Sequence, residues 1–145
     1  MPSITRAFAT TASPEAAFDY LADFRNAEGW DPGTKTCQRT SGDGGVGTTY
    51  RNVSGFLGRE VELTYTTAQL EPERLVLLTG RNDSFDGEDR FEIERSGDAT
   101  RITYHAEMHF SGASKLASPL VAAYLPLLAK KTVDQLRDCL DRLSA

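Results

Sequence analysis

The chain is short of cysteine, of long apolar runs and of concentrated positive charge, and each shortage closes off a class of protein. Two cysteines, Cys37 and Cys139, stand far apart with no Cys-x-x-Cys spacing, so free thiols in a reducing compartment are expected, not a disulfide or a zinc site. No apolar run approaches the roughly 18 residues of a membrane span. The opening stretch MPSITRAFATTASPEAAF has no charged segment followed by an apolar core, so no secretory signal is expected and the expected location is cytoplasmic. The sequons at Asn52 and Asn82 then carry no glycan. Lys and Arg number 16 against 21 Asp and Glu, for a net charge of −5, and the cations are scattered along the chain. A surface that tracks nucleic-acid phosphates would gather them on one face, so no nucleic-acid partner is expected. What is present is ordinary: 145 residues, 39% hydrophobic and 26% charged, enough for one domain, 1–145, with a single core.

Taken in order, residues 3–11 alternate and are β-branched, which predicts a strand. Ser13 as cap, Pro14 in the first turn and Glu15 at the positive end of the dipole predict a helix through AAFDYLADF. Asn26 to Trp30 forms a second, very short helix stopped by Asp31-Pro32-Gly33. From Thr34 the period is two for about 75 residues. Turn signals at Gly42 to Gly47, Gly55 to Gly58, Glu71-Pro72-Glu73 and Ser96-Gly97-Asp98 divide this stretch into six strands. None of the connections is long enough for a helical crossover, so neighbours pair antiparallel.

Ser114 to Leu143 is the one run long enough for a helix of several turns. Its apolar residues form two stripes, Leu116, Leu120, Tyr124 and Leu127 on one face and Leu125, Ala129, Val133, Leu136, Leu140 and Leu143 on another. The switch falls at Pro126, which predicts a kink or restart there. The rear stripe is expected to be plain core and the front stripe to roof whatever space the sheet encloses. The fold class is α+β: a seven-stranded antiparallel sheet that twists and curls around the long helix, leaving a space between them.

This order resembles the polyketide cyclase/dehydrase and START-like (SRPBCC) superfamily, known also for the birch-pollen-allergen fold. The resemblance is carried by Trp30-Asp31-Pro32-Gly33, Gly45-Val46-Gly47-Thr48, Leu70-Glu71-Pro72-Glu73-Arg74-Leu75 and Gly97-Asp98-Ala99-Thr100-Arg101-Ile102-Thr103-Tyr104, and it spans nearly the whole chain. It implies a helix-grip fold with an internal cavity for a lipid, polyketide or other apolar molecule. It implies no shared catalytic signature, because the superfamily holds both binders and enzymes.

Candidates for chemistry are few. His105, Glu107 and His109 alternate on one strand, but about 13 Å between the histidine Cα atoms is too far for one metal ion. Their parity also puts them on the solvent side if Ile102, Tyr104, Ala106, Met108 and Phe110 face inward. The acidic stretch Asp83 to Asp89 lacks calcium-loop spacing and reads as a charged hairpin. The glycines from 42 to 47 precede a strand, so no phosphate cradle forms. No metal and no cofactor is expected. The expected ligand-binding set is Trp30, Tyr50, Tyr65, Tyr104, Met108, Leu116, Leu120 and Tyr124, amphipathic or apolar groups around an apolar space, with Thr48 and Asn52 sharing the parity of Tyr50.

Three functions fit. The first is a binder or carrier of an apolar small molecule. The second is an aromatase/cyclase or dehydratase in which tyrosine hydroxyls, or Arg81 and Asp89, steer an aldol step; it requires an ionisable group pointing into the cavity. The third is a module for a protein partner, marked by a collapsed cavity and an exposed apolar patch. A homodimer is compatible with all three.

Overall fold

The computed structural model describes residues 2–56 and 58–144. Strand β1 spans Ser3–Thr10, helix α1 Pro14–Ala22 and α2 Ala27–Trp30, with one 3₁₀ turn at Phe24–Asn26 between the helices. Strands β2 (Thr34–Ser41), β3 (Thr49–Phe56), β4 (Arg59–Glu71), β5 (Leu75–Asn82), β6 (Phe85–Ser96) and β7 (Ala99–Phe110) follow. A 3₁₀ segment, Gly112–Ala117, leads into α3, Ser118–Arg142. The elements are those the sequence predicts, a seven-stranded antiparallel sheet with a long C-terminal helix and short helices between the first two strands. The α1 start is capped as expected: the Ser13 hydroxyl accepts from the Ala16 amide at 3.0 Å, with Pro14 at the first position.

The strand order is β1-β7-β6-β5-β4-β3-β2. β1 and β2 are consecutive in sequence but lie at opposite edges, so the α1–α2 link must cross the sheet from one edge to the other. It does so over the inner face, where α1 packs on β5 and β6 and α2 packs on β2 and α3. Register shifts in the β2–β3 pair and at Thr67/Gln69 of β4 add local twist. Those irregularities help the sheet curl.

Along β7 the parity is as expected. Ile102, Tyr104 and Ala106 are buried with Met108 packed behind them. His105 and His109 lie on the outer face, where Glu107 bridges them at 3.4 and 3.7 Å and Thr5 holds His105 at 2.6 Å. Tyr50 and Asn52 on β3, and Thr48 just before it, turn inward and are buried.

The long helix corrects one expectation. It runs without interruption through Pro126, and its buried residues form a single stripe, Val121, Leu125, Ala129, Thr132, Leu136 and Leu140. Steps of four, four, three, four and four keep these on one face of a 3.6-residue repeat, so the rear stripe simply continues forward through Val121. The front stripe points away: Leu116 is 87% and Leu120 60% exposed, and Leu127 is exposed too. Leu116 and Leu120 therefore do not roof the interior. Leu116 belongs to the 3₁₀ segment, whose threefold turn sets it off the α-helical phase. Leu143, expected in the rear stripe, follows the last turn of α3 and is 43% exposed. Asp141 ties the rear of the helix to β1, accepting from the Thr10 hydroxyl at 2.6 Å and the Thr11 amide at 3.0 Å.

Candidate functional site

On the inner face of the sheet a carboxylate interrupts the apolar row of β6. Phe91 and Ile93 are buried, and Asp89 occupies the next position of the same parity, opposite Leu78 of β5 and Ala106 of β7, both buried. The phase that puts Phe91 into the core therefore puts a carboxylate there too. Tyr104, which pairs with Phe91 across the strands, donates its hydroxyl to Asp89 at 2.8 Å. Tyr65 of β4 is a second hydroxyl partner of the same carboxylate.

Tyr65 reaches Asp89 because of a glycine. It stands opposite Gly80 in the β4–β5 register, and a Cβ on Gly80 would lie 2.6 Å from the Tyr65 ring. The missing side chain lets the ring lie across β5 toward β6. Gly87, the cross-strand neighbour of Gly80, does the same for Phe85, whose ring would meet a Cβ at 2.6 Å.

The link between β1 and β2 closes this region. Phe24 packs on Tyr65 with ring centroids 4.5 Å apart, and Trp30 meets Phe91 at 5.5 Å and Tyr104 at 6.2 Å. Phe91 and Tyr104 stack at 5.0 Å. Trp30 thereby delivers its neighbour Asp31, whose carboxylate accepts from the Thr34 hydroxyl at 2.6 Å and the Gly33 amide at 3.2 Å. Thr34 in turn accepts from Asn52 at 3.1 Å, and the Asn52 carbonyl accepts from Ser54 at 2.5 Å. A polar chain thus runs along the inside from Ser54 on β3 to Asp31.

These surroundings set the proton affinities. Asp31 and Asp89 keep a part of their side-chain surface accessible, but protein encloses their carboxyl groups. Burial pushes Asp89 up to about 7, against the hydrogen bonds from Tyr104 and Tyr65, and the charge of Asp31 adds to the rise. Burial also raises Asp31, opposed by Thr34 and Gly33. Tyr65 and Tyr104 are pushed well above the ordinary phenol value, first by burial and then by the Asp89 charge, so both stay protonated as donors. Burial takes the Cys37 thiol up to about 11, which removes it as a thiolate nucleophile at neutral pH.

Of the expected ligand-binding set, the structure gathers Trp30, Tyr65 and Tyr104 about Asp89. Tyr50 sits beside Tyr65 in the register, Met108 is partly buried against the core, and Tyr124 is half-buried on α3. Arg81 and Asp89, paired in the expected aldol scheme, are separated: Arg81 is exposed and faces Asp86 at 3.6 Å. Sequence reasoning passed over Asp31, Phe24 and Gly80. A carboxylate in the apolar phase of β6 and a glycine opposite a tyrosine were the available signals. A pocket of about 350 Å³ opens at the strand ends between Arg81, Asn82, Phe85, Asp86, His109, Phe110 and Ser111. Its β6 residues, Phe85 and Asp86, lie three to four residues along the strand from Asp89, roughly 10–13 Å at the rise of a strand, so it is an opening at the rim and the acid cluster is deeper. Among the described residues no group of three or more His, Cys, Asp or Glu is placed to hold a metal ion.

No curated protein matches the sequence. A family profile described as polyketide cyclase / dehydrase and lipid transport matches residues 1–144. Among solved structures, a START superfamily protein from Mycobacterium smegmatis aligns with a TM-score of 0.80 at 16% identity, over 97% of this chain and 98% of that one. An aromatase/cyclase from Streptomyces sp. R1128 aligns at 0.81 and 11% identity, over 99% and 95%. A protein from Thermus thermophilus aligns at 0.81 and 15%, over 99% and 100%. At these identities the likeness is one of fold.

Proposed function

Because this chain belongs to the polyketide cyclase/dehydrase and lipid transport family, we propose that it takes up a largely apolar small molecule between sheet and α3. Asp89 then acts as a general acid–base on that molecule's carbonyl group. The observation that carries the reading is the inward carboxylate of Asp89, held by Tyr104 at 2.8 Å and with a proton affinity near neutrality. A group that is half protonated at working pH serves both directions of proton transfer. The ionised form removes a proton from the carbon next to a carbonyl. The resulting enolate carbon bonds to a second carbonyl carbon of the same chain, and the proton held by Asp89 passes to the new alkoxide. Tyr65 and Tyr104, both protonated, can hydrogen-bond the oxygen on which charge develops. The similarity to an aromatase/cyclase fold is consistent with this use of the interior.

Carriage without chemistry is the second reading. The observation on its side is that the two tyrosine hydroxyls already satisfy Asp89, so the cluster is complete without a substrate. Deuterium exchange at the central carbon of a bound 1,3-diketone separates the two. On the acid–base reading, exchange accelerates as pH rises through about 7 and the acceleration disappears in Asp89→Asn, while native mass spectrometry still records the bound diketone. Equal exchange in both proteins leaves carriage as the function.

A further inference from the structure

We propose that the front half of α3, with the 3₁₀ segment before it, docks on the surface of an anionic lipid bilayer. The helix supplies its own comparison. In the rear half the exposed residues, Lys130, Lys131, Asp134, Gln135, Asp138 and Arg142, are all polar, as on a helix whose outer face meets water. In the front half the exposed residues are Pro119, Leu120, Ala122, Ala123, Pro126 and Leu127, without one polar side chain. Leu120, Ala123 and Leu127 fall within about 60° of one another at 100° per residue. Leu116 stands just ahead of them, and all three leucines are more than half exposed. Single leucines on a surface are ordinary, but a row of them is a face without a partner.

Charge selects the occupant. From Met108 to Val133 the chain holds three of its 16 Lys and Arg, namely Lys115, Lys130 and Lys131, and none of its 21 Asp and Glu. Lys115 adjoins Leu116, and Lys130 and Lys131 follow Leu127 by one turn, so cations bracket the apolar row in a chain of net charge −5. Lys130 is shared with Asp134 at 2.9 Å, and among the described residues no ion pair engages Lys115 or Lys131. A bilayer with anionic headgroups matches both features. Leucines enter the acyl boundary while lysine stems lie along it and place their ammonium groups among the phosphates. A protein partner fits less well, because the centre of such an interface is usually anchored by aromatic rings, Arg and hydrogen bonds, and this row offers aliphatic groups alone. A second copy would bring three further lysines to the same seam.

The place of the row in the fold gives the docking a use. Phe110 and Ser111 line the rim pocket of about 350 Å³, and the 3₁₀ segment that carries Lys115 and Leu116 follows them at once. The row therefore starts at the end of the sheet where the pocket opens. Acids at this end stand on the β5–β6 hairpin: Asp86 faces Arg81 at 3.6 Å, and Asp83 is exposed at the turn. Apolar molecules partition out of water into bilayers, so a docking face beside the opening lets one pass into the protein without crossing water. That use rests on the proposed uptake of an apolar molecule; the docking does not.

The test is co-sedimentation with vesicles of phosphatidylcholine alone and of phosphatidylcholine and phosphatidylglycerol in equal parts, at low ionic strength. The expected result is binding at least roughly tenfold tighter to the anionic vesicles, weakening as salt is added. Leu120→Ser with Leu127→Ser, at exposed positions that leave the thermal transition in place, should weaken it by at least roughly tenfold. Lys115→Gln with Lys131→Gln should remove most of the preference for anionic over neutral vesicles. No binding to either vesicle, equal binding to both, or binding that the leucine variant leaves unchanged overturns the proposal. A concentration-dependent dimer in analytical ultracentrifugation that the leucine variant abolishes assigns the face to a second copy and overturns it too. Vesicle binding by a protein that takes up no diketone in native mass spectrometry leaves the docking and overturns the uptake reading. Diketone uptake without vesicle binding overturns the docking alone.

Discussion

Asp89 sits between Leu78 and Ala106 in the middle of an apolar row, and its position has a consequence for stability whose sign is fixed. Its proton affinity is raised to about 7 in the folded chain by burial, against an ordinary value of about 3.9 for an exposed aspartate. Between those two values the folded chain keeps a proton that the unfolded chain has released, so stability falls as pH rises through the window and is level above it. Each pKa unit corresponds to about 1.4 kcal/mol, which bounds the loss at about 4 kcal/mol. Asp89→Asn removes the charge and keeps one acceptor for Tyr104. Urea unfolding should find it more stable than the wild type at pH 8 by about 2–4 kcal/mol and nearly equal near pH 4. A difference of the same size at both pH values would rule out titration of Asp89 as its source. The residue was legible as a candidate but its partner was not: Arg81 and Asp89 are both on hairpin strands, and only the register shows that Arg81 faces Asp86 outside while Asp89 faces in.

The long helix shows how far a periodicity argument reaches. Its rear stripe, Leu125, Ala129, Leu136 and Leu140, is buried as the spacing predicts. The front stripe was legible as apolar, but apolar character does not say which face meets the sheet. Val121 is the residue that decides it, because it extends the rear stripe by one turn and turns Leu120 to solvent. The two leucines make a direct comparison. Leu136→Ala should cost about 2–5 kcal/mol of unfolding free energy, as for other fully buried leucines. Leu120→Ala should change it by no more than about 0.5 kcal/mol. A large loss at Leu120 in the isolated protein would mean that the front half packs inward in solution.

For the whole molecule, the sheet and its cover should not open together. β5, β6 and β7 have hydrogen-bonded neighbours on both sides, and α1 packs over β5 and β6. β2 is an edge strand with two register irregularities. Amide hydrogen exchange followed by NMR is therefore expected to be slowest in β5–β7, with β2 and the front half of α3 opening at lower free energy. Uniform protection across all seven strands would contradict that order.

The sequence by itself determined the element order, the antiparallel pairing and which residues of β3 and of β7 share a face, because period-two alternation and turn chemistry act over a few neighbouring residues; which face turns inward is read from burial in the fold. Only the tertiary structure decided that Asp31, Tyr65, Asp89 and Tyr104 meet. Their meeting depends on the curl of seven strands, on Gly80 leaving room for the Tyr65 ring, and on a link that crosses the sheet and sets Trp30 against Tyr104. Contacts between residues so distant in the chain have no local signature, and burial, which gives Asp89 its proton affinity, is a property of the assembled interior.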